Sequence, residues 1–326
     1  MKKLAACILC ASMAASLLAG CGGSSESDGT AGAQGGDTKT GQESSDKSNV
    51  INVWAFTDEV PGMIEKYKEM HPDFAYDINT TIIATTDGAY QPALDQALAA
   101  GGADAPDIYC AEAAFVLKYT QGSASQYAMP YADLGIDVDA ALKEADIAQY
   151  TIDVGTNPDG KLVGLGYQAS GGAFIYRRSI AKDVWGTDDP AEIAGKIGPG
   201  WDKFFEAAEA LKEKGYGIVS GDGDIWHAVE NSSDAGWIVD GKLNIDPKRE
   251  EFLDLSKKLK DNGYHNDTQD WQDAWFADIK GEGEKEVLGF FGPAWLINYT
   301  MAPNCGGTAV GEGTYGDWAV CEPPIG

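Results

Sequence analysis

Val287-Leu-Gly-Phe-Phe291 is an apolar run too short for a buried helix, and Gly292-Pro293 closes it. Such a run suits a strand covered on both faces, which commits the chain to a sheet with a layer on each side. Proline has no N–H to give a ladder and holds its predecessor extended, so the strand ends there. Pro293 also suits the start of a helix, which the sequence from Ala294 can form. Trp295 therefore falls just past the carboxyl end of a strand, the edge at which open α/β sheets bind ligands. On this stretch alone, packing in the core is an equally good reading of its indole.

The chain before this run follows the same grammar. Val50 to Phe56 reads as a strand, Thr57-Asp58 as an N-cap, and Pro61 as the first turn of a helix that should bury Met63, Ile64, Tyr67 and Met70. His71-Pro72-Asp73 breaks that helix, and Tyr76 to Ala84 reads as a second strand. A helix from Tyr90 to Ala100 closes at Gly101-Gly102, a third strand spans Pro106 to Cys110, and a short helix follows Glu112. Alternation of this kind predicts a parallel sheet with helices on both faces. After Asp146, Tyr150–Val154 and Leu162–Tyr167 read as extended, joined by the turn Asn157-Pro-Asp-Gly160. A strand at Gly172–Tyr176, helices at Trp201–Lys214, Pro247–Asn262 and Trp271–Ile279, and a strand near Tyr216–Val219 make a second α/β block. It ends in the Val287–Phe291 strand, and no internal repeat is apparent.

At the other end, Lys2 and Lys3 precede an apolar segment from Leu4 to Leu18 that finishes in Leu17-Leu-Ala-Gly-Cys21. A basic start, a short apolar core and small residues before a cut define an export signal over residues 1–20, too short for a membrane span. The Leu-Ala-Gly-Cys ending resembles the bacterial lipobox, which implies that Cys21 becomes lipid-modified, as by palmitate, and opens the mature chain. Gly22 to Ser48 has no aromatic or branched aliphatic side chain to bury, so residues 21–49 read as a flexible tether. The formal charge of −27 becomes more negative once Lys2 and Lys3 are removed. Such a surface repels nucleic acid and anionic lipid. The remaining 44% of hydrophobic residues is enough for real cores, and the length favours two domains.

Of the six cysteines, Cys7 and Cys10 leave with the signal. Outside the cytosol, Cys305 and Cys321 could close a loop whose constraint is worth roughly 3 kcal/mol, while Cys110 ends an apolar strand and reads as a buried free thiol. Gly155 to Leu162 approaches a phosphate-binding loop with Lys161, but Leu162 stands where a magnesium-binding hydroxyl is required. Asp222 and Asp224 resemble the start of a calcium loop that no spaced glutamate completes. His71, His227 and His265 are not at metal-ligand spacing, and Gly-x-Ser-x-Gly is absent. A glycosidase needs two carboxylates across the scissile bond, and with 51 acidic residues such pairs can always be found, so abundance is no evidence. No catalytic residue, metal or cofactor is expected.

Four short stretches, in order after the lipobox, carry a family resemblance: Trp54-Ala-Phe-Thr-Asp-Glu59, Ala105-Pro-Asp-Ile108, Tyr167 to Arg177 ending in Phe-Ile-Tyr-Arg, and Phe290-Phe-Gly-Pro-Ala-Trp295. The chain from Val50 onward resembles an extracellular solute-binding protein, family 1, of the carbohydrate ABC-transporter type. The resemblance implies two α/β lobes, each a mainly parallel sheet with helices on both faces, joined by hinge strands and closing on a sugar. It implies a first lobe over 50–155 whose return segment is missing, a second over 156–318, and the start of a second crossover at 319–326. Family members continue beyond that point, so a C-terminally truncated chain is expected. An oligosaccharide ligand, a permease as partner, a monomer and an extracytoplasmic lipid anchor follow from the same resemblance. A sensor or adhesion receptor of the same fold, or a secreted glycan-active enzyme, is the alternative.

Sugars present apolar C–H faces and rings of hydroxyls, so their sites combine flat aromatic platforms with hydrogen-bonding groups. On the first lobe the candidates are Trp54, Phe56, Thr57, Asp58 and Glu59, the segment Thr85–Tyr90 with Tyr90 foremost, and Tyr109 and Glu112. Near the hinge they are Tyr167 and Gln168, and on the second lobe Trp226, read as part of the loop that Gly221-Asp-Gly-Asp-Ile225 begins, with Trp275 and Trp295. Carboxylates accept from sugar hydroxyls, and Gln168 can both donate and accept. For Asp58 capping, and for Trp275 helix packing beside Trp271, are the plainer roles.

Overall fold

The computed structural model describes residues 49–85, 88–168 and 170–325. The export signal, Cys21 and nearly all of the tether lie outside the described residues. Two compact units meet in sequence between Cys110 and Ala111. Among the described residues no helix is long and apolar enough to cross a membrane.

In the first unit, β1 (Val50–Ala55) lies between β2 (Asp77–Ile82) and β3 (Ile108–Tyr109), parallel to both, as the alternation predicts. Strand alternation turns Val53 and Ala55 inward, while α2 (Tyr90–Ala100) buries Tyr90, Leu94 and Leu98 at i, i+4 and i+8. Asn52, also buried, ties the sheet together: its Nδ2 donates to the carbonyls of Ala103 (2.8 Å) and Ala105 (3.1 Å), and its Oδ1 accepts from Asn79 (2.9 Å). The helix α1 (Glu59–Met70) departs from expectation. It buries no residue, and Met63, Tyr67 and Met70 are exposed. Amphipathic spacing makes a helix ready for burial, but a second layer must cover the stripe, and this unit places none over it.

The second unit opens with α3 (Val116–Thr120), α4 (Val138–Ala145) and α5 (Gln149–Gly155). The last overturns the extended reading of Tyr150–Val154. Its β-branched residues favour a strand locally, but the carbonyls they carry are taken up across the chain: Thr120 Oγ1 donates to Val154 O, and Gln121 Nε2 to the carbonyls of Asp153 and Thr156. The Asn157–Gly160 turn forms as expected, with Asn157 Oδ1 accepting from the N–H groups of Asp159 and Lys161. Leu162–Tyr167 makes only a single bridge, Leu162 to Thr156.

β4 (Gly172–Arg177), which runs on into α6 (Arg178–Trp185), is the centre of the second sheet, flanked by β7 (Gly289–Pro293) and β8 (Trp318–Cys321), and it runs antiparallel to both, while β5 (Ile238–Val239) and β6 (Lys242–Leu243) pair as a separate hairpin. A mainly parallel second sheet was the expectation, and it is corrected here. The parallel pairing that remains is at Gly217 and Val287, where Leu288 N donates to Gly217 O at 2.8 Å. Layers cover both faces, as the apolar run requires. On one, Phe174, Tyr176 and Phe291 pack with α7 (Pro190–Ile197), α8 (Trp201–Glu213), α9 (Asp222–Ser232) and α10 (Pro247–Asn262), through Ile193, Phe204, Ile225 and Leu259. On the other, Ile175 and Phe290 pack with Trp275 and Ile279 of α11 (Asp273–Lys280).

The same two-faced packing explains the cysteines. Cys110, Cys305 and Cys321 are free thiols, so the proposed Cys305–Cys321 link is not made. Alternation along β8 turns Cys321 into the first core with Ala319. Cys305 lies under the opposite face, lining an apolar cavity with Ile175, Met301 and Trp318, and its thiol donates to Ala302 O and Gly307 O. The sheet stands between the two. Burial pushes the Cys110 thiol up to about 11 and Cys321 to about 12, so both stay protonated.

Candidate functional site

In the second unit the carboxyl end of β7 is where the aromatic side chains collect. Gly292 leaves room there for Leu296 of α12 (Ala294–Leu296): a Cβ on it would lie 2.2 Å from Leu296 Cδ2, so any larger residue would have to displace that buried side chain. That turn leaves Trp295 half-buried at the end of the sheet. Its indole is stacked on Trp271, with ring centroids 6.0 Å apart and planes at 17°. Trp271 in turn sits 5.3 Å from Trp275, which is buried with its ring edge-on to Phe290. The expected helix from Trp271 starts only at Asp273. Trp271 precedes it in the left-handed region, at φ 66°.

A polar lattice fixes this segment against the amino end of α9. Ser220 Oγ bonds Thr268 Oγ1 and Asp278 Oδ2, both at 2.5 Å, and Asn266 Nδ2 donates to Asp278 Oδ1 at 2.6 Å. His227 Nε2 and Asp270 Oδ2 are 3.0 Å apart. Asp270 also packs against the first turn of α9, where a Cβ on Gly223 would meet its Oδ1 at 2.5 Å. Asp224 is enclosed, and its Oδ2 accepts from the N–H groups of Ser220 and Gly221. Burial, reinforced by the negative charge of Asp270, nonetheless pushes its carboxyl up to about 8. The hydrogen bond to Asp270 raises His227 in the same way.

β4 begins at Gly172, paired in register with Pro293, so the segment carrying exposed Tyr167 and Gln168 enters the sheet at the end where Trp295 leaves it. A charged cluster occupies the opposite end. Arg177 Nε donates to Asp317 at 2.6 Å and its Nη2 to Glu286 at 3.2 Å, with the guanidinium 5.6 Å from the Trp318 ring centroid.

In the first unit, Trp54, Phe56, Thr57, Asp58, Glu59 and Tyr109 gather at the carboxyl ends of β1 and β3, where Trp54 and Tyr109 are register partners. Trp54 is half-buried, Thr57 and Asp58 are exposed, and Asp58 makes no side-chain cap hydrogen bond to α1. Phe56 meets Tyr90 edge-on at 5.7 Å. Tyr90 itself is enclosed, its hydroxyl donating to the carbonyls of Cys110 (2.7 Å) and Trp54 (3.3 Å), so it braces two strands. Thr86 and Asp87, within the Thr85–Tyr90 segment, lie outside the described residues. Glu112 falls in the second unit by the division at Cys110, exposed in outline but with its carboxyl raised by desolvation.

The sequence from 54 to 326 matches the model of the bacterial extracellular solute-binding proteins. The chain belongs to that family. Solved structures similar to this solute-binding protein include an extracellular solute-binding protein of family 1, 22% identical, with a TM-score of 0.64 over 85% of this chain and 67% of that one. The galacto-N-biose-/lacto-N-biose I-binding protein of the ABC transporter from Bifidobacterium longum, solved with lacto-N-biose, is 17% identical with a TM-score of 0.63, over 84% of this chain and 65% of that one. An ABC substrate-binding protein from Listeria monocytogenes, solved with cycloalternan, is 16% identical with a TM-score of 0.57, over 84% and 66%. The chain thus spans about two thirds of the length of these structures and shares their α/β fold. No curated protein matches it. The family is one of binding proteins rather than enzymes.

One candidate of this solute-binding protein is placed differently from the sequence reading. Trp226 was taken as a loop residue; it sits within α9, because Gly221 and Asp224 cap that helix, and it packs on Phe252 at 4.9 Å. Trp275 is core, the plainer of its two readings. Trp271, Asp270 and His227 were missed as site residues. Their only sequence signal was the tryptophan pair four apart, and it was assigned to one helix face because a left-handed tryptophan leaves no mark in sequence.

Proposed function

We propose that this protein is the solute-binding component of an ABC importer for an oligosaccharide, acting at the carboxyl-end faces of its two units. The observation that carries the reading is the half-buried indole of Trp295, set at the end of β7 by the Gly292-Pro293 turn. An indole face there matches the apolar C–H face of a pyranose. Exposed Asp58, Thr57 and Gln168 supply hydrogen-bonding groups at the same ends of their sheets. Two of the similar structures hold oligosaccharides, which supports this ligand class. Delivery to permease subunits, a monomeric state, anchoring through a lipid on Cys21, and lobe limits at 50–155 and 156–318 with a crossover at 319–326 belong to the same proposal.

A thermal-shift screen of the full chain against neutral oligosaccharides should find a stabilising ligand, because anything that binds only the folded state raises its stability. With that ligand, Trp295→Ala should weaken affinity by about tenfold in calorimetry. Unchanged affinity removes Trp295 from the site.

A further inference from the structure

We propose that Trp271 is a ligand-contacting residue in its own right and the outer stacking face of the site, with Trp295 as its support. The inference rests on the sugar-binding reading and names a residue that reading does not use.

Three observations converge on it. First, Trp271 is 45% exposed although it stacks on Trp295 and approaches buried Trp275. A large aromatic side chain of this kind normally contributes by burial, so one left this exposed beside a buried core is arranged for something other than packing. Second, its backbone lies in the left-handed region at φ 66°. For a bulky residue that conformation costs energy and persists only where the surroundings hold it, which is characteristic of binding sites. Third, the surroundings do hold it. The His227–Asp270 contact fixes the preceding residue, the Ser220, Thr268, Asn266 and Asp278 lattice fixes the segment before that, and α11 follows directly. A surface indole of no consequence would not need so many constraints.

The ligand chemistry follows from the same arrangement. Two near-parallel indoles next to a buried third give a flat, apolar face. That face suits a neutral pyranose stacked by its C–H face. An anionic sugar is disfavoured by the chain's formal charge of −27.

The test uses the full chain and the probes lacto-N-biose, cycloalternan, maltotriose and cellotriose in calorimetry. Wild type should bind at least one. For that probe, Trp271→Ala should lower affinity about tenfold, and Trp271→Phe, which keeps a flat face, should recover part of the loss. Bound probe should also protect one tryptophan of the wild type from acrylamide quenching, and that protection should vanish in Trp271→Phe. Circular dichroism and the unfolding midpoint of each variant check that the fold is kept. Wild-type affinity in a folded Trp271→Ala, with Trp295→Ala still impaired, overturns this proposal alone. Binding of no probe by wild type overturns the oligosaccharide reading and this assignment with it.

Discussion

The two units use the same sequence grammar and arrive at different interiors. In the second, helices close over both faces of a three-stranded sheet, so Phe174 and Tyr176 on one side and Ile175 on the other are all enclosed. In the first, a three-stranded sheet has α2 burying three residues while α1 buries none and leaves Met63, Tyr67 and Met70 exposed. Alternation of strands and helices specifies the elements in both. It does not specify which helix faces end up covered, because that depends on a second layer arriving from elsewhere in the chain.

The largest effect expected from this contrast is in the second core. Phe204 is wholly enclosed between Trp201, Phe205 and Phe291. Phe204→Ala should cost about 3–5 kcal/mol, the loss of a buried aromatic together with the cavity it leaves. Urea unfolding followed by circular dichroism measures it, and a cost below about 1 kcal/mol would mean that this core is far looser than its burial indicates.

The next effect concerns charge in the same unit. The Asp224 carboxyl stands at about 8 in the fold against 3.8 as its ordinary value. A raised value means that the fold favours the protonated form, so the stability contributed by Asp224 is complete below about pH 4 and is lost as pH rises through 8. His227, also raised, acts with the same sign. Stability should therefore fall between pH 5 and 9 by roughly 2–4 kcal/mol. Asp224→Asn stays neutral, and its amide oxygen can still accept from Ser220 and Gly221, so it should flatten the fall without lowering stability at pH 5. A profile identical to that of wild type would show that Asp224 is ionised throughout.

How much of this was legible in sequence follows from what kind of contact each feature depends on. The strand at Val287–Phe291, its stop at Pro293 and the position of Trp295 just past the strand's carboxyl end rest on local rules, and they appear within two residues of their expected places. Tyr150–Val154 was misread because Thr120 and Gln121, some thirty residues earlier, take up its carbonyls. Cys305 and Cys321 are near in sequence yet separated by a sheet, which spacing cannot reveal. Trp271 depends on a left-handed backbone held by His227 and Asp270 from two different segments. Features set by neighbours in sequence were readable, and those set by neighbours in space were not.

A smaller effect tests the first unit at its best-tied point. Asn52→Ala removes two donated hydrogen bonds and one accepted, and leaves the carbonyls of Ala103 and Ala105 and the amide of Asn79 to find new partners. A loss of about 1–3 kcal/mol is expected. Asn52→Asp should be as harmful, since it keeps the acceptor for Asn79 but turns a negative group towards two carbonyls.

The smallest effect separates the units most directly. Met63 and Met70 are 46% and 68% exposed on α1, whose residues are all at least partly open. Between them Tyr67 has its own surface partners, stacked on His71 at 4.1 Å and edge-on to Phe74 at 5.8 Å, so it is left intact. Met63→Gln and Met70→Gln change apolar surface that already faces water and preserve helix propensity, so each should move stability by less than about 0.5 kcal/mol. Urea midpoints measured beside Phe204→Ala give the contrast on one scale. If either methionine variant costs more than about 1 kcal/mol, the α1 stripe is buried in solution, and the difference between the two interiors drawn above disappears.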